Sequence, residues 1–218
     1  MGAHSQSVEE YLEALYKLGA SERPVTVRDL SHALGVARPS VSEMLSRLAE
    51  AGLVSRRDGG AARFTRRGAV EAARLVRRHR LSERFLADLL ELPWDRVHEE
   101  ACKFEHVLSD EVEGRLAERL GNPATCPHGH AIPEADGSVA EALTVPLATV
   151  KADSTVTISR IAEEQGDLLR YLASLGLVPE TAVVVEGRAP FGGPLLVRVG
   201  QAQYALGIEV AEKILVEG

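Results

Sequence analysis

The sequence predicts a mainly α chain with a small β module, and three observations carry that prediction. From Val8 to Gly68, helical apolar periodicity is interrupted by tight turns and followed by a basic hairpin pattern. Helical text then continues almost unbroken from Gly68 to Leu120, with a break near Leu92-Pro93. Residues 144–218 change character: TVPLATV, STVTISRI, AVVVEGR, LLVRVG and YALGI are short β-rich runs divided by Gly and Pro turns, with a helix near Asp167–Leu175.

The first element, Val8 to Leu18, places Val8, Leu12, Leu15 and Tyr16 on one face of an amphipathic helix. Thr26 caps a second helix, with Asp29 at the capping-box position, and Gly35 stops it after Leu34. Pro39 suits the first turn of a third helix, whose Val41, Met44, Leu45 and Leu48 recur at helical spacing. Beyond Ala51-Gly52, LVSRRDGGAARFTRRG reads as strand, Asp-Gly-Gly turn and strand. Helix, tight turn, helix and basic hairpin together form a winged helix-turn-helix. Off the apolar stripe of the third helix stand Arg38, Ser40, Ser42, Glu43, Ser46 and Arg47, and the hairpin carries Arg56, Arg57 and Arg63. With Arg28 and Pro39, these are the candidate DNA-facing residues: hydroxyls approach base edges and arginines neutralise phosphate.

The net charge of −7 would argue against a nucleic-acid partner if it were evenly spread, but it is segregated. Residues 38–80 hold eleven Arg against four acids, whereas residues 81–120 hold five basic residues against eleven acids. A basic segment abutting an acidic one predicts a phosphate-facing surface beside a cation-binding one. The chain's 218 residues suffice for several domains, and no apolar stretch approaches the ~18 residues of a membrane span. Only two cysteines occur, Cys102 and Cys126, each near a histidine. That excludes a disulfide framework and fits a reduced cytoplasm and metal chemistry.

His98, Cys102, Glu105 and His106 are all metal-ligand types, and on an ideal helix they point within roughly one 100° sector. His79 and Glu83 repeat the i, i+4 geometry one helix earlier. No HExxH or comparable hydrolase signature accompanies them, so a metal-independent winged-helix regulator or a metalloenzyme stands only as an alternative.

EEYLEALYKL, PSVSEMLSRL, RRHRLSERFL, PWDRVHEEACKFEHVLSDEVE and CPHGHAIP carry a resemblance. From Val8 to Pro133 the chain resembles the diphtheria-toxin-repressor family of metal-dependent regulators, and its ending is more loosely similar to that family's SH3-like (FeoA-like) module. The resemblance implies a primary metal site at Glu10, Cys102, Glu105 and His106. It implies a second at His79, Glu83 and His98, completed either by the SH3-like module or by Cys126 and His128 of the CPHG loop. The family pattern also departs here. Iron-sensing members have Met and manganese-sensing ones Asp where this chain has Glu10, while Cys102 is the iron-type residue. Glu13 matches a carboxylate of some two-manganese sites. In the third domain Arg160 stands where iron regulators have a ligating Glu, Glu163 falls at the next ligand, and Asp167 is a substitute carboxylate. Glu43 replaces a base-contacting Gln.

The resulting expectation is a homodimeric, non-enzymatic repressor, activated by Mn²⁺ or Fe²⁺ at two sites per subunit, with Zn²⁺, Co²⁺ or Ni²⁺ as in vitro substitutes. Its expected partner is double-stranded DNA bearing an inverted-repeat operator, with no membrane contact. Expected domains are a winged helix-turn-helix over 1–73, a helical metal-binding and dimerisation domain over 74–135, a linker over 136–149 and an SH3-like domain over 150–218.

Overall fold

A computed structural model describes residues 5–56, 60–140 and 142–217. The chain divides into two compact units. The first gathers residues 1–79, 105–108 and 133–139, and the second gathers 80–104, 109–132 and 140–218.

In the first unit, α1 (Gln6–Lys17), α2 (Val27–Leu34) and α3 (Arg38–Glu50) precede the antiparallel pair β1 (Val54–Arg56) and β2 (Ala62–Phe64). The helix α4 (Arg66–Arg84) follows, and the division between units falls within it. The expected cap of α2 is present: Thr26 Oγ1 accepts from the Asp29 amide at 3.1 Å, and Asp29 Oδ2 accepts from the Thr26 amide at 3.2 Å. Gly35 ends the helix at φ 66°, a left-handed turn that favours glycine. Leu12, Leu15, Leu30, Val41, Leu45, Leu48 and Leu53 form one buried core. Because α1 and α3 share it, the position of the opening helix bears directly on the helix expected to read DNA.

In the second unit, the end of α4 runs into a π turn (Phe85–Leu89), then α5 (Val97–Phe104) and α6 (Asp110–Arg119). Leu81, Ala117 and Ile132 pack together, as do Leu86, Val97 and Ala101. The remainder is β3 (Val145–Pro146), β4 (Ser154–Ile161), α7 (Gly166–Ser174), β5 (Ala182–Arg188), β6 (Leu195–Val199), β7 (Ala202–Leu206), α8 (Ile208–Ala211) and β8 (Ile214–Glu217). Its strands form one antiparallel sheet in the order β3-β8-β4-β5-β6-β7. Alternate residues Val156, Ile158, Val183, Val185, Leu195 and Val197 point into a buried core with Leu169 and Leu172 of α7. The strand β3 lies within the stretch expected to be linker, where Val145 pairs with Val216. A bulge between Ile158 and Arg160 shifts the register of β4 against β8. Among the described residues, no helix is long and apolar enough to cross a membrane.

Candidate metal centres

In the first unit, Glu9 and Glu13 stand one turn apart on α1, on the same side as buried Leu12. His79 lies buried on α4, and Glu105 and His106 lie in a 3₁₀ turn (Glu105–Val107). Ligand atoms of Glu13, His79 and Glu105 all fall within 4.8 Å of one another. His79 Nδ1 contacts Glu105 Oε2 directly and is 3.8 Å from Glu13 Oε1. His106 Nδ1 is 2.6 Å from Glu9 Oε2, and its Nε2 is 3.6 Å from Glu105 Oε1. Burial raises the pKa of Glu105 above the usual carboxylate range, opposed by the His79 contact and reinforced by the charge of Glu13. Lys17 Nζ, 3.0 Å from Glu13 Oε1, flanks the group on α1.

A second cluster lies within the second unit. Glu83 is fully buried on the last turn of α4, and His98 sits on the first turn of α5. Cys126 and His128 come from the CPHG loop, and Glu164 follows β4. His98 Nδ1 is 3.0 Å from Glu83 Oε1 and 3.2 Å from Glu164 Oε2. His128 Nδ1 is 3.4 Å from Glu83 Oε1 and 3.7 Å from Glu164 Oε1. Ligand atoms of Glu83, Cys126, His128 and Glu164 again fall within 4.8 Å of one another. Burial, then the charges of Glu83 and Glu164, push the Cys126 thiol well above its ordinary pKa. Burial pushes the neighbouring His130 down to about 4. Buried His128 Nδ1 has no hydrogen bond among the described residues and faces two carboxylates. The imidazole of His128, the carboxylates of Glu83 and Glu164 and the thiol of Cys126 form a donor set that fits a divalent cation, with His98 beside the two carboxylates.

Of the residues expected to face DNA, Arg38, Pro39, Ser40, Glu43 and Arg47 of α3 are exposed, Ser42 is half-buried, and Arg28 of α2 is exposed as well. Arg56 is engaged within the protein: its guanidinium donates to Ser46 Oγ at 2.7 Å, to Ser42 O at 3.2 Å and to Ser42 Oγ at 3.3 Å. Arg63 donates to Ser21 O at 3.0 Å. Arg57 lies outside the described residues.

Three family profiles match the chain in sequence. One described as the N-terminal DNA binding domain of iron dependent repressors matches residues 4–61. One described as their metal binding and dimerisation domain matches 65–134, and a FeoA domain matches 145–218. The iron-dependent repressor IdeR of Mycobacterium leprae (strain TN) is 34% identical over 224 residues, covering 97% of this chain and 96% of that protein. The chain belongs to the iron-dependent repressor family. The diphtheria toxin repressor of Corynebacterium diphtheriae (strain ATCC 700971 / NCTC 13129 / Biotype gravis) is 37% identical over 131 residues, 60% of this chain and 58% of that one. A manganese-dependent transcriptional repressor in complex with manganese superposes with a TM-score of 0.88 at 35% identity, covering 96% of this chain and 98% of that one. The T. acidophilum IdeR crystal structure gives a TM-score of 0.79 at 32% identity, covering 99% of this chain and 98% of that one.

Against this repressor fold, the residues expected from sequence divide clearly. Glu105 and His106 meet as expected, but their partners from α1 are Glu13 and Glu9. Glu10 is exposed and accepts from Gln6 Nε2 at 3.2 Å, because it lies a 100° step around the helix from Glu9. Cys102 belongs to the second unit, where its Sγ is 3.9 Å from His98 Nε2. His79 lies with Glu13 and Glu105 in the first unit. Of the two completions left open for the second cluster, both are present: Cys126 and His128 from the loop, and a carboxylate from the third domain. That carboxylate is Glu164. Glu163 instead pairs with Lys213 at 2.7 Å, and Asp167 pairs with Arg170 at 2.7 Å. Sequence reasoning missed Glu9 and Glu164, each one position from a residue it named.

Proposed function

We propose that this chain is a divalent-metal-activated transcriptional repressor that binds an inverted-repeat DNA operator as a homodimer and controls metal-homeostasis genes. The observation that carries the reading is the meeting of α1 with a buried imidazole and carboxylate, Glu13 with His79 and Glu105, inside the winged-helix unit.

In this reading Glu9, Glu13, His79, Glu105 and His106 hold the first ion, and Glu83, His98, Cys126, His128 and Glu164 hold the second. The first set is all carboxylate and imidazole, which favours Mn²⁺ or Fe²⁺. The thiol of the second broadens its range to Zn²⁺, Co²⁺ or Ni²⁺ in vitro. A bound divalent cation supplies the positive charge that lets these carboxylates stay ionised while buried. The chain does the rest. Glu9 and Glu13 fasten α1 to the turn at Glu105–His106 and to His79. Through the shared core of Leu12, Leu15, Leu30 and Leu45, a fastened α1 restricts α3 to the DNA-competent arrangement. Linkage then requires DNA to tighten metal binding by the same factor. A two-fold dimer sets recognition helices about 34 Å apart, or a multiple of it.

The test is anaerobic capture of sheared host genomic DNA by the purified protein in Mn²⁺, Fe²⁺, Zn²⁺ or chelator, with recovered fragments sequenced. Enrichment of a few inverted repeats only with Mn²⁺ or Fe²⁺ is the expected result. Equal enrichment in chelator, or none in any condition, contradicts it.

A further inference from the structure

Trp94, the chain's single tryptophan, flanks the second cluster without offering it a ligand. Its indole Nε1 donates to the Pro127 carbonyl at 2.9 Å. Its own carbonyl oxygen is 3.0 Å from His128 Nε2. A carbonyl oxygen only accepts, so His128 Nε2 carries the proton. The two rings lie with centroids 5.2 Å apart, tilted by 47°. One residue thereby grips the CPHG loop twice, by main chain and by side chain, on either side of the Pro127–His128 peptide bond.

The remaining ring nitrogen of His128, Nδ1, is turned the other way. It is buried, makes no hydrogen bond among the described residues, and faces Glu83 Oε1 and Glu164 Oε1 at 3.4 and 3.7 Å. The opposite side of the loop is held on β4. The Ile161 amide donates to the His128 carbonyl at 3.1 Å, and Gly129, at φ 89°, lies so close that a Cβ there would fall 2.0 Å from Ser159 O. Trp94 itself packs on the core of the β module, and Asp95 beside it accepts from Arg170 at 2.8 Å. The segment that grips the loop is therefore anchored to the same module that contributes Glu164.

We propose that Trp94 is a positioning residue of the second centre. Its carbonyl holds His128 with the proton on Nε2, and its indole N–H holds the loop, so that Nδ1 is the ring atom presented to a divalent cation. The inference rests on reading the second cluster as a metal site, and its test separates the two.

Long-range ¹H–¹⁵N spectra of the imidazoles, recorded on the full-length protein without metal and with Zn²⁺, are expected to show a protonated Nε2 on His128 in both states. Only Nδ1 is expected to shift on adding Zn²⁺. A proton-free Nε2 in either state overturns the proposal without any substitution being made. In parallel, Co²⁺ is titrated into a Cys102→Ser background, where Cys126 is the remaining thiol, and the thiolate-to-cobalt charge-transfer band is followed. Adding Trp94→Phe, which keeps an aromatic ring and removes the N–H donor, is expected to weaken that Co²⁺ binding by about tenfold. An unchanged affinity overturns the role of Trp94 while leaving the centre standing. Absence of the band in the Cys102→Ser parent overturns the second centre and the proposal with it.

Discussion

His106 Nδ1 stands 2.6 Å from Glu9 Oε2, joining residues 97 positions apart in sequence. That contact brings the turn after α5 to the opening helix of the winged-helix unit. With Glu13, His79 and Glu105 beside it, α1 meets the acidic turn through groups whose charges a divalent cation would balance.

The first prediction separates neighbours on α1. Glu13→Gln is expected to abolish the metal-stimulated rise in DNA affinity, a loss of roughly 5–150-fold. Glu10→Gln, altering an exposed carboxylate that accepts from Gln6 Nε2, is expected to stay near parental. Titrating Mn²⁺ against a captured DNA fragment checks both, and the reverse ranking would restore Glu10 to the site.

A second contrast concerns Glu163 and Glu164. Ligand binding to the native state alone stabilises by about 2.7 kcal/mol at a hundredfold excess over Kd. Glu164→Gln is expected to lose the part of metal-induced thermal stabilisation that comes from the second centre. Glu163→Gln, which disturbs a half-exposed pair with Lys213, is expected to retain it. Differential scanning calorimetry with and without Mn²⁺ reads the difference.

The arginines of the DNA-facing unit are expected to behave differently from one another. Arg47 is exposed on α3, and Arg47→Ala should weaken binding evenly across sequences and lower the salt slope by about 0.9. Arg56 is held by Ser42 and Ser46, so it fixes the hairpin against α3. Arg56→Ala should leave the salt slope close to parental and relax discrimination among operator variants. Binding isotherms over a range of KCl concentrations distinguish the two patterns.

The cap of α2 yields a pH-dependent prediction. The side-chain and backbone bonds with Thr26 lower the pKa of Asp29 below its ordinary 3.8. A carboxylate with a depressed folded pKa contributes stability that is fully present above the unfolded value and is lost as pH falls through the folded one. Thr26→Ala should cost about 1 kcal/mol at neutral pH. The stability gap between parent and Asp29→Asn should shrink as pH falls below 3.8. Urea melts at a series of pH values check it, and a gap that widens on acidification would contradict the capping role.

Helix starts and stops were legible where local chemistry decides them: Thr26 with Asp29, Gly35, and Pro39 all act as their types predict. The donor chemistry of the two candidate centres was legible too, because histidine, cysteine and glutamate recur at helical spacing. Which neighbour faces inward was not. On α1, Glu9 and Glu10 differ by one helical step, and the resemblance points to Glu10 although the apolar stripe of Val8, Leu12, Leu15 and Tyr16 lies nearer Glu9. Within β4, the bulge between Ile158 and Arg160 breaks the two-residue alternation, so that Ile158 and Ile161 are both buried. The family alignment of TISRIAEEQ points to Glu163, but β4 ends at Ile161, so no strand alternation fixes which of the two glutamates turns inward, and it is Glu164 that meets His98. The serine partners of Arg56 on α3, ten and fourteen residues away, were not legible from the hairpin's own sequence.

The central claim is that divalent metal controls DNA affinity through α1. Its most direct test is fluorescence anisotropy on one genomic fragment recovered by the protein, comparing Mn²⁺ or Fe²⁺ with chelator at fixed ionic strength. The account predicts a rise in affinity within the roughly 5–150-fold range of allosteric coupling, abolished by Glu13→Gln. Equal affinity with metal and chelator would contradict it.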